Sequence, residues 1–373
     1  MSHIILIGGV AHSLVNFRGD FIRACVEAGH RVTAMSEPAS KEQIAAIEAL
    51  GADYKPYPIQ KSGLNPVEDL YTLQHLIRVF GKIVPDVVLA YTIKPIIWSG
   101  IALRVLSSKT SFFALITGLG YAFQGSGLAG KALAGGVSSL YRVSLSSADG
   151  VIFQNKASKR LFINRRIVEE RHCHLVGGSG VNLDRFNAEP LPRTVRPVFL
   201  LIARLIREKG IHEYVQAARI VKKKYPQTDF LLLGRFYDAP GGIAREEVDS
   251  WQKEGVIRFL GSTEDVRPFL ASSHVFVLPS KYGEGLSRSI MEALATGRPV
   301  LTTDNPGCRE MVVDGKNGFI VPTADAESLA EKMIWMLENR HRWKDMGCYS
   351  RKLAERGYDV HRINRELKAI MGL

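Results

Sequence analysis

Short apolar segments alternate with longer helical patterns along nearly the whole chain, and this alternation restricts the fold more than any other feature. In the first half, strand-length runs such as Ile4–Ile7, Arg31–Met35 and Val87–Ala90 are separated by segments of helical length and periodicity. Strands separated in this way form βαβ units, in which parallel strands are joined by right-handed crossovers. The sequence therefore predicts an α/β chain built on parallel sheets.

The same alternation starts again after a proline-rich stretch at 187–197. A chain of 373 residues suits two domains of ordinary size. We therefore predict two Rossmann-like domains, 1–188 and 189–355, with ligands held in a cleft between their facing sheets. The last segment, 356–373, exceeds what the second sheet needs, and we expect it to form a helix that packs back on the first domain.

Composition limits the partners and the compartment. The 49 Lys and Arg residues outnumber the 37 Asp and Glu residues and give a net charge of +12, which favours a polyanion such as nucleic acid, an anionic bilayer or a phosphorylated small molecule. The four cysteines are scattered without a CxxC pair, which argues against a zinc site or a disulfide framework and fits a reducing compartment. The N-terminal apolar run is too short for a signal peptide, and no run reaches the roughly 20 residues of a spanning helix, so we expect a cytoplasmic protein.

The segment 280–299 carries the densest chemical signal. Glu284 and Gly285 lie in a loop that follows a strand and precedes a helix, and Glu292 lies about two turns into that helix. A carboxylate can accept hydrogen bonds from vicinal hydroxyls, so Glu292 suits a ribose and Glu284 suits a hexose. The alternative is a helix with one acidic residue near its start and one surface glutamate.

The start of that helix predicts a phosphate site. We expect the amides of Leu286, Ser287 and Arg288 to point out of the helix N-terminus, where the macrodipole favours a diphosphate.

A second charged loop follows the strand Val198–Ala203. It places Arg204 and Lys209 at the carboxyl end of that strand, just before Gly210 and a further helix. Two cations near a helix N-terminus can neutralise a diphosphate without a metal and stabilise it as it leaves. The alternative is a solvated charged loop.

Together these motifs resemble the large family-4 retaining glycosyltransferases, which have the GT-B fold. The motifs that carry the resemblance are Arg204…Lys209-Gly210, Glu284-x7-Glu292, the run 293–300, Pro306-Gly307…Glu310 and Gly315-x-Asn317-Gly318.

The resemblance implies a role for each residue of the C-terminal motifs. Glu284 would contact hydroxyls of the transferred sugar, Glu292 would hold the nucleotide ribose, and Gly261 would help to hold the base. Arg204 and Lys209 would bind the diphosphate. The implied reaction is front-face transfer, in which the leaving diphosphate helps to deprotonate the acceptor and the anomeric configuration is retained.

The N-terminal half resembles the same family. Gly9 belongs to a glycine loop that would let the backbone approach the donor diphosphate, and the segments 91–95 and 115–123 resemble a bacterial subgroup that extends polyprenol-diphosphate-linked sugars, including α-1,3-N-acetylgalactosaminyltransferases. Lys94 and Tyr121 are our candidates for acceptor or sugar contacts. Many family members carry a histidine that reaches the donor sugar. The matching stretch 117–120 of this chain contains no histidine, and His12 in the first loop is a candidate replacement.

We therefore predict a retaining transferase that moves a hexose or N-acetylhexosamine, with GalNAc as the leading choice, from a UDP-sugar to a polyprenol-diphosphate-linked glycan. No DxD motif follows a strand, so we expect no cofactor and no required metal. A UDP-sugar epimerase of the same fold and a non-enzymatic nucleic-acid-binding protein are the alternatives, although no RNA-binding aromatic motif is present. A dinucleotide-dependent oxidoreductase is a weaker alternative because the first glycine loop does not complete GxGxxG.

A basic stretch in the first domain suggests a membrane surface. Seven cations and a single acidic residue lie between 131 and 166, and apolar residues recur at helical spacing between 128 and 145. Such a face can rest on anionic lipid, at about 1 kcal/mol for each nearby cation. We therefore expect a peripheral protein on the inner face of the cytoplasmic membrane; the alternative is an ordinary amphipathic helix packed on its sheet.

Overall fold

The computed structural model describes residues 1–60, 65–120, 123, 127–237, 241–281 and 283–373. Two compact units emerge, the first comprising Met1–Ser179 with Val360–Leu373 and the second comprising Gly180–Asp359.

Unit 1 is a parallel sheet with helices between its strands. Among its described residues the strands are β1 (His3–Ile7), β2 (Arg31–Ser36), β3 (Asp53–Pro56), β4 (Val87–Tyr91), β5 (Ser111–Ile116), β6 (Gly150–Phe153) and β7 (Cys173–Leu175). The helices are α1 (Ala11–Glu27), α2 (Lys41–Glu48), α3 (Pro66–Ile83), α4 (Ile93–Val105), α5 (Gly127–Leu145) and α6 (Lys156–Asn164). The strand order β3-β2-β1-β4-β5-β6-β7 reverses direction between β1 and β4, as in a Rossmann-like sheet.

Unit 2 repeats this architecture. Its described strands are β8 (Val198–Ile202), β9 (Asp229–Leu233), β10 (Arg258–Phe259), β11 (Val275–Leu278), β12 (Val300–Thr303) and β13 (Gly318–Val321), all parallel and in the order β10-β9-β8-β11-β12-β13. The helices are α7 (Ile211–Lys224), α8 (Arg245–Lys253), α9 (Arg267–Ala271), α10 (Arg288–Ala295), α11 (Ala326–Glu338) and α12 (Trp343–Leu353). Buried apolar clusters cover both faces of the sheet, which is why its strands read as continuous hydrophobic runs.

The last helix, α13 (Val360–Ile370), returns to unit 1. Its residues Ile363 and Leu367 are buried in the same cluster as Ile4 of β1 and Leu14 of α1. The predicted α/β class with two Rossmann-like domains is thus confirmed, and so is the return of the C-terminal helix.

The division between the units falls at 179–180, earlier than the predicted boundary at 188. The proline-rich stretch 187–197 is fixed to unit 2 because Arg298, fully buried, donates from Nη2 to the carbonyls of Glu189 and Pro190 at 2.7 and 3.0 Å. The prolines of the stretch 187–197 therefore belong to the second unit, and the boundary between the two units precedes them.

Two helix starts differ from the sequence prediction. Helix α1 begins at Ala11, so His12, which the sequence predicts to lie in the first loop, lies in the first turn of a helix. Helix α10 begins at Arg288, two residues after the predicted Leu286. Within the described part of the chain, no helix combines the length and the apolar character that crossing a membrane requires.

Candidate functional site

The loops that follow β8, β11 and β12 meet at one edge of the unit 2 sheet, because these three strands are neighbours in the strand order. The backbone amide of Lys281, after β11, donates to the carbonyl of Glu208, after β8, at 2.7 Å. The amide of Glu284 donates to the carbonyl of Pro306, after β12, at 3.2 Å. The loop that carries Glu284 is thus held from both sides.

Lys209 and Glu284 form the centre of this site. The ammonium group of Lys209 contacts Oε1 of Glu284, and their side chains are only 11% and 17% exposed. The hydroxyl of Ser280 donates to the same carboxylate oxygen at 3.2 Å. A carboxylate and an ammonium group are therefore fixed side by side at the carboxyl ends of two adjacent strands, where open α/β sheets bind ligands.

Two glycines allow these loops to approach one another. A Cβ at Gly210, where φ is +73°, would lie 1.9 Å from the carbonyl oxygen of Pro279. A Cβ at Gly307, where φ is +91°, would lie 2.7 Å from the carbonyl oxygen of Glu284. Both positions require glycine for conformation and for space, and both support the loop that carries Glu284.

The start of α10 differs from the predicted phosphate site. The Ser287 amide donates to the carbonyl of Gly307 at 2.8 Å, so the expectation that it points to a ligand is wrong. Ser287 and Gly285 are buried, and Leu286 is partly buried before the helix begins. The amides that a helix leaves without intrahelical partners are those of its first residues, here starting at Arg288.

Glu292 lies one turn into α10 and is 13% exposed. Nε of Arg288 donates to Oε1 of Glu292 at 3.0 Å. Burial raises the pKa of the Glu292 carboxyl above its usual value, although the guanidinium groups of Arg288 and Arg185 act in the opposite direction.

Arg204 lies at the carboxyl end of β8, as the sequence predicts. It is exposed, and its guanidinium carbon lies 5.5 Å from the ring centroid of Tyr237, after β9. The carbonyl of Gly261, after β10, accepts the amide of Gly234 at 2.8 Å, and Gly261 has φ +74°. Gly261 therefore ties the loops after β9 and β10 together at the same edge of the sheet.

In unit 1, the first glycine loop lies where the strand order reverses. A Cβ at Gly8 would lie 2.1 Å from the ring of Tyr91, so packing alone requires glycine there. At Gly9 the nearest atom, Oγ1 of Thr92, would lie 3.5 Å from a Cβ, which is an ordinary contact. Packing within the described part of unit 1 therefore leaves room for a side chain at Gly9.

The other unit 1 candidates have different surroundings. Nζ of Lys94 lies 2.9 Å from Oδ1 of Asp69, to which Nε1 of Trp98 also donates at 3.2 Å. His12 is partly exposed, with its ring centroid 6.3 Å from that of Phe17. Tyr121 lies outside the described residues, as does Tyr282 in the Glu284 loop.

Two features of these loops were not found by reading the sequence. Ser280 opens the Glu284 motif, yet only the fold shows that its hydroxyl holds the carboxylate. Thr92, between β4 and α4, has φ +67° and ψ 163°, a region that a β-branched residue rarely occupies. Strain of this kind concentrates at functional sites, and nothing in the local sequence signals it.

Two family models match the chain, one in each half. The model of the group 1 glycosyl transferases matches residues 184–353, and that of the glycosyl transferase 4-like proteins matches residues 4–155. The first therefore contains Arg204, Lys209, Glu284 and Glu292, and the second contains Gly9 and Lys94.

Individual proteins show the same likeness. Over 348 residues, 89% of each chain, the sequence is 27% identical to the N,N'-diacetylbacillosaminyl-diphospho-undecaprenol alpha-1,3-N-acetylgalactosaminyltransferase of Campylobacter jejuni. It is 23% identical over 240 residues to the capsular polysaccharide biosynthesis glycosyltransferase CapM of Staphylococcus aureus, an alignment that covers 61% of this chain and 63% of CapM. The crystal structure of Anabaena HepE in complex with UDP and glucose superposes with a TM-score of 0.80 at 17% identity, covering the whole of both chains.

Proposed function

We propose that this chain, a glycosyltransferase by its matches to the group 1 and 4-like family models, transfers a sugar from a UDP-sugar to a polyprenol-diphosphate-linked glycan with retention of configuration and without a metal. The transferred sugar is a hexose or an N-acetylhexosamine, with GalNAc as the leading choice. The biological setting that we propose is the assembly of a bacterial surface glycan.

The Lys209–Glu284 ion pair is the observation that carries this proposal. Glu284 lies in the loop that leads into α10, and Lys209 contacts its carboxylate. The two charges neutralise each other. A bound nucleotide-sugar would offer its diphosphate to Lys209 and its sugar hydroxyls to Glu284, which would replace one set of charge-assisted hydrogen bonds with another.

Support for the donor comes from two sites in this chain and from one structure of the same fold. Glu292 is a largely buried carboxylate that can accept hydrogen bonds from ribose hydroxyls. Gly9 is a glycine that packing does not require, as expected if the backbone there approaches a diphosphate. Anabaena HepE, which shares the fold, was crystallised with UDP and glucose.

Support for the acceptor comes from the relatives. The Campylobacter relative is named for transfer of N-acetylgalactosamine to an undecaprenol-diphosphate-linked sugar, and CapM is named for capsular polysaccharide biosynthesis. An acceptor of this kind is anchored in a bilayer. We therefore propose a peripheral location on the inner face of the cytoplasmic membrane, with the basic surface of α5 and α6 toward anionic lipid. His12, Lys94 and Tyr121 stay candidates for acceptor or sugar contacts.

We infer the following reaction for this site. The bond between the anomeric carbon and the diphosphate oxygen breaks, and the acceptor oxygen bonds to the same face of the sugar. The acceptor proton passes to the leaving diphosphate oxygen, so UDP departs with that proton. Lys209, assisted by Arg204 from the same loop, stabilises the charge that develops on the diphosphate and takes the place of a metal ion. Glu284, tied to Lys209 and Ser280, orients the sugar and does not attack it.

The test is transfer of radiolabelled sugar from UDP-GalNAc, UDP-GlcNAc, UDP-Gal and UDP-Glc into lipid extracts, with a chelator present. We expect label from one donor to enter a polyprenol-diphosphate glycan, to persist with the chelator, and to be lost in Glu284→Gln. Glu254→Gln is the matched control, since it removes a carboxylate from an exposed ion pair with Arg219. NMR of the product would show a retained anomeric configuration.

A different result would overturn the proposal in a defined way. UDP-sugar that is epimerised without transfer to any lipid would assign the chain to an epimerase. Transfer that stops when the chelator is added would support the proposed transferase activity but would reject its independence of a metal.

A further inference from the structure

Arg288 occupies a position that helix stability does not favour. It is the first residue of α10, where the macrodipole disfavours a cation by about 0.3–1 kcal/mol. Its partner, Glu292, follows four residues later, and an arginine that precedes a glutamate at this spacing is the weaker of the two orders. Another reason is therefore needed for an arginine at this position.

The contact between the two side chains divides the Glu292 carboxylate into a held oxygen and an open one. Nε of Arg288 donates to Oε1 at 3.0 Å, and the two side chains are 21% and 13% exposed. Among the described residues, none donates a hydrogen bond to Oε2. The pair thus fixes one side of the carboxylate and leaves the other side to accept from a ligand.

The charges that face Glu292 are Arg288 on its own helix and Arg185 on the segment before β8. A carboxylate that is buried without a cation tends to take up a proton. A protonated carboxyl group can no longer accept two hydrogen bonds from a pair of vicinal hydroxyls on equal terms, because one of its oxygens has become a donor.

Resting on the nucleotide-sugar site proposed above, we propose that Arg288 is a positioning residue, which keeps the Glu292 carboxylate ionised and presents its open oxygen to the ribose of the donor. The side chain of Arg288 need not touch the nucleotide for this role. Its effect reaches the ligand through Glu292.

The experiment measures the dissociation constant of UDP by calorimetry between pH 5.5 and 8.5, for the wild type and for Arg288→Gln, Arg288→Lys and Arg219→Gln. Arg219→Gln is the matched control because it also breaks an arginine–glutamate pair in unit 2, but an exposed one at 2.6 Å. We expect Arg288→Gln to match the wild type near pH 8.5 and to lose UDP affinity at a higher pH than the wild type does as the pH falls toward 6.

Three further readouts separate this role from a structural one. Arg288→Lys keeps the charge and should restore most of the wild-type pH profile. The wild type should prefer UDP over 2′-deoxy-UDP more strongly than Arg288→Gln does at pH 6. The unfolding midpoint of Arg288→Gln should fall at pH 8.5, where Glu292 stays ionised without the adjacent cation, and should fall less near pH 6, where the carboxyl group takes up a proton.

Three outcomes would overturn the inference. These are a pH profile of Arg288→Gln that follows the wild type, an equal change in Arg219→Gln, and a pH profile of Arg288→Lys that matches Arg288→Gln instead of the wild type. A wild-type chain that binds no UDP at any pH would instead reject the proposed function itself, so the two failures are distinguishable.

Discussion

The ammonium group of Lys209 and the carboxylate of Glu284 form an ion pair that joins the loops after β8 and β11. The two residues are 75 positions apart in the sequence. They meet because β8 and β11 are neighbours in the unit 2 sheet and because Gly210 lets the first loop touch the second. The charges on which we base the proposed transfer are therefore also part of the structure of the site.

Lys209→Met should reduce both activity and stability. The change leaves Glu284 as a largely buried carboxylate without its cation, which we expect to lower the free energy of unfolding by about 1–3 kcal/mol. Transfer should fall by about 100-fold or more, because a group that stabilises the leaving diphosphate is lost. Urea denaturation and the radiolabel assay measure the two effects.

The double variant Lys209→Met with Glu284→Gln separates those effects. It removes both charges, so stability should recover while activity stays lost. A double variant that is no more stable than Lys209→Met alone would contradict the pairing.

Gly210→Ala should be strongly destabilising. Its new Cβ would lie 1.9 Å from the backbone carbonyl oxygen of Pro279 at a φ of +73°, and neither atom belongs to a flexible side chain. We expect a loss of at least about 2 kcal/mol from the clash and the backbone strain together. Gly255→Ala is the control, since Gly255 also has φ +73° but has open space around it. It should cost about 1 kcal/mol, and equal losses in the two variants would show that the clash is relieved.

Glu292→Gln should stabilise the protein while it weakens nucleotide binding. The pKa of Glu292 is raised in the folded chain by burial, so the folded state binds the proton more tightly than the unfolded state does. The ionised carboxylate therefore costs stability at neutral pH, and that cost disappears as the pH falls below the raised pKa. We expect Glu292→Gln to raise the free energy of unfolding at pH 7 and to remove this pH dependence. Denaturation at pH 5 and pH 7 tests the sign, and a destabilised variant at pH 7 would contradict it.

Membrane binding should depend on exposed cations of unit 1. Lys131 on α5 and Lys156 and Arg160 on α6 are exposed, and at about 1 kcal/mol for each cation their charge reversal should weaken binding to anionic vesicles by about 100-fold or more. Sedimentation with anionic and neutral vesicles measures this effect.

The matched control for the membrane experiment reverses exposed cations of unit 2, namely Arg193, Arg196 and Lys223. Both triple variants change the net charge equally. If the two lose the same affinity, the attraction is general and the surface of α5 and α6 has no special role.

The parts of the fold that the sequence predicts best are those with a periodic pattern of apolar residues. The alternation of strands and helices predicts both sheets, because a parallel strand that is buried on both faces must be almost wholly apolar. The starts of helices are predicted less accurately. His12 reads as a loop residue after two glycines, yet the helix begins at Ala11, because a helix can start directly after such a turn without any capping side chain.

The sequence does not predict contacts between residues of different loops or helices. The Ser287 amide reads as a donor for a ligand, but in the fold it is taken by the carbonyl of Gly307, which comes from the loop after the next strand in the sheet. Lys94 is a candidate for acceptor or sugar contacts, and only the fold shows that its ammonium group is paired with Asp69 of α3. Each partner lies far along the chain, and no periodicity encodes it.

The sequence by itself determined the α/β class, the repeat of the architecture and the spacing of Glu284 and Glu292, because each depends on residues that are near neighbours in the chain. The tertiary structure alone decided that Lys209 and Ser280 hold Glu284. These contacts depend on strand order and on the direction of side chains at a few loop positions. Such properties follow from the packing of the whole sheet, in which the free energy of each loop conformation includes partners from other strands.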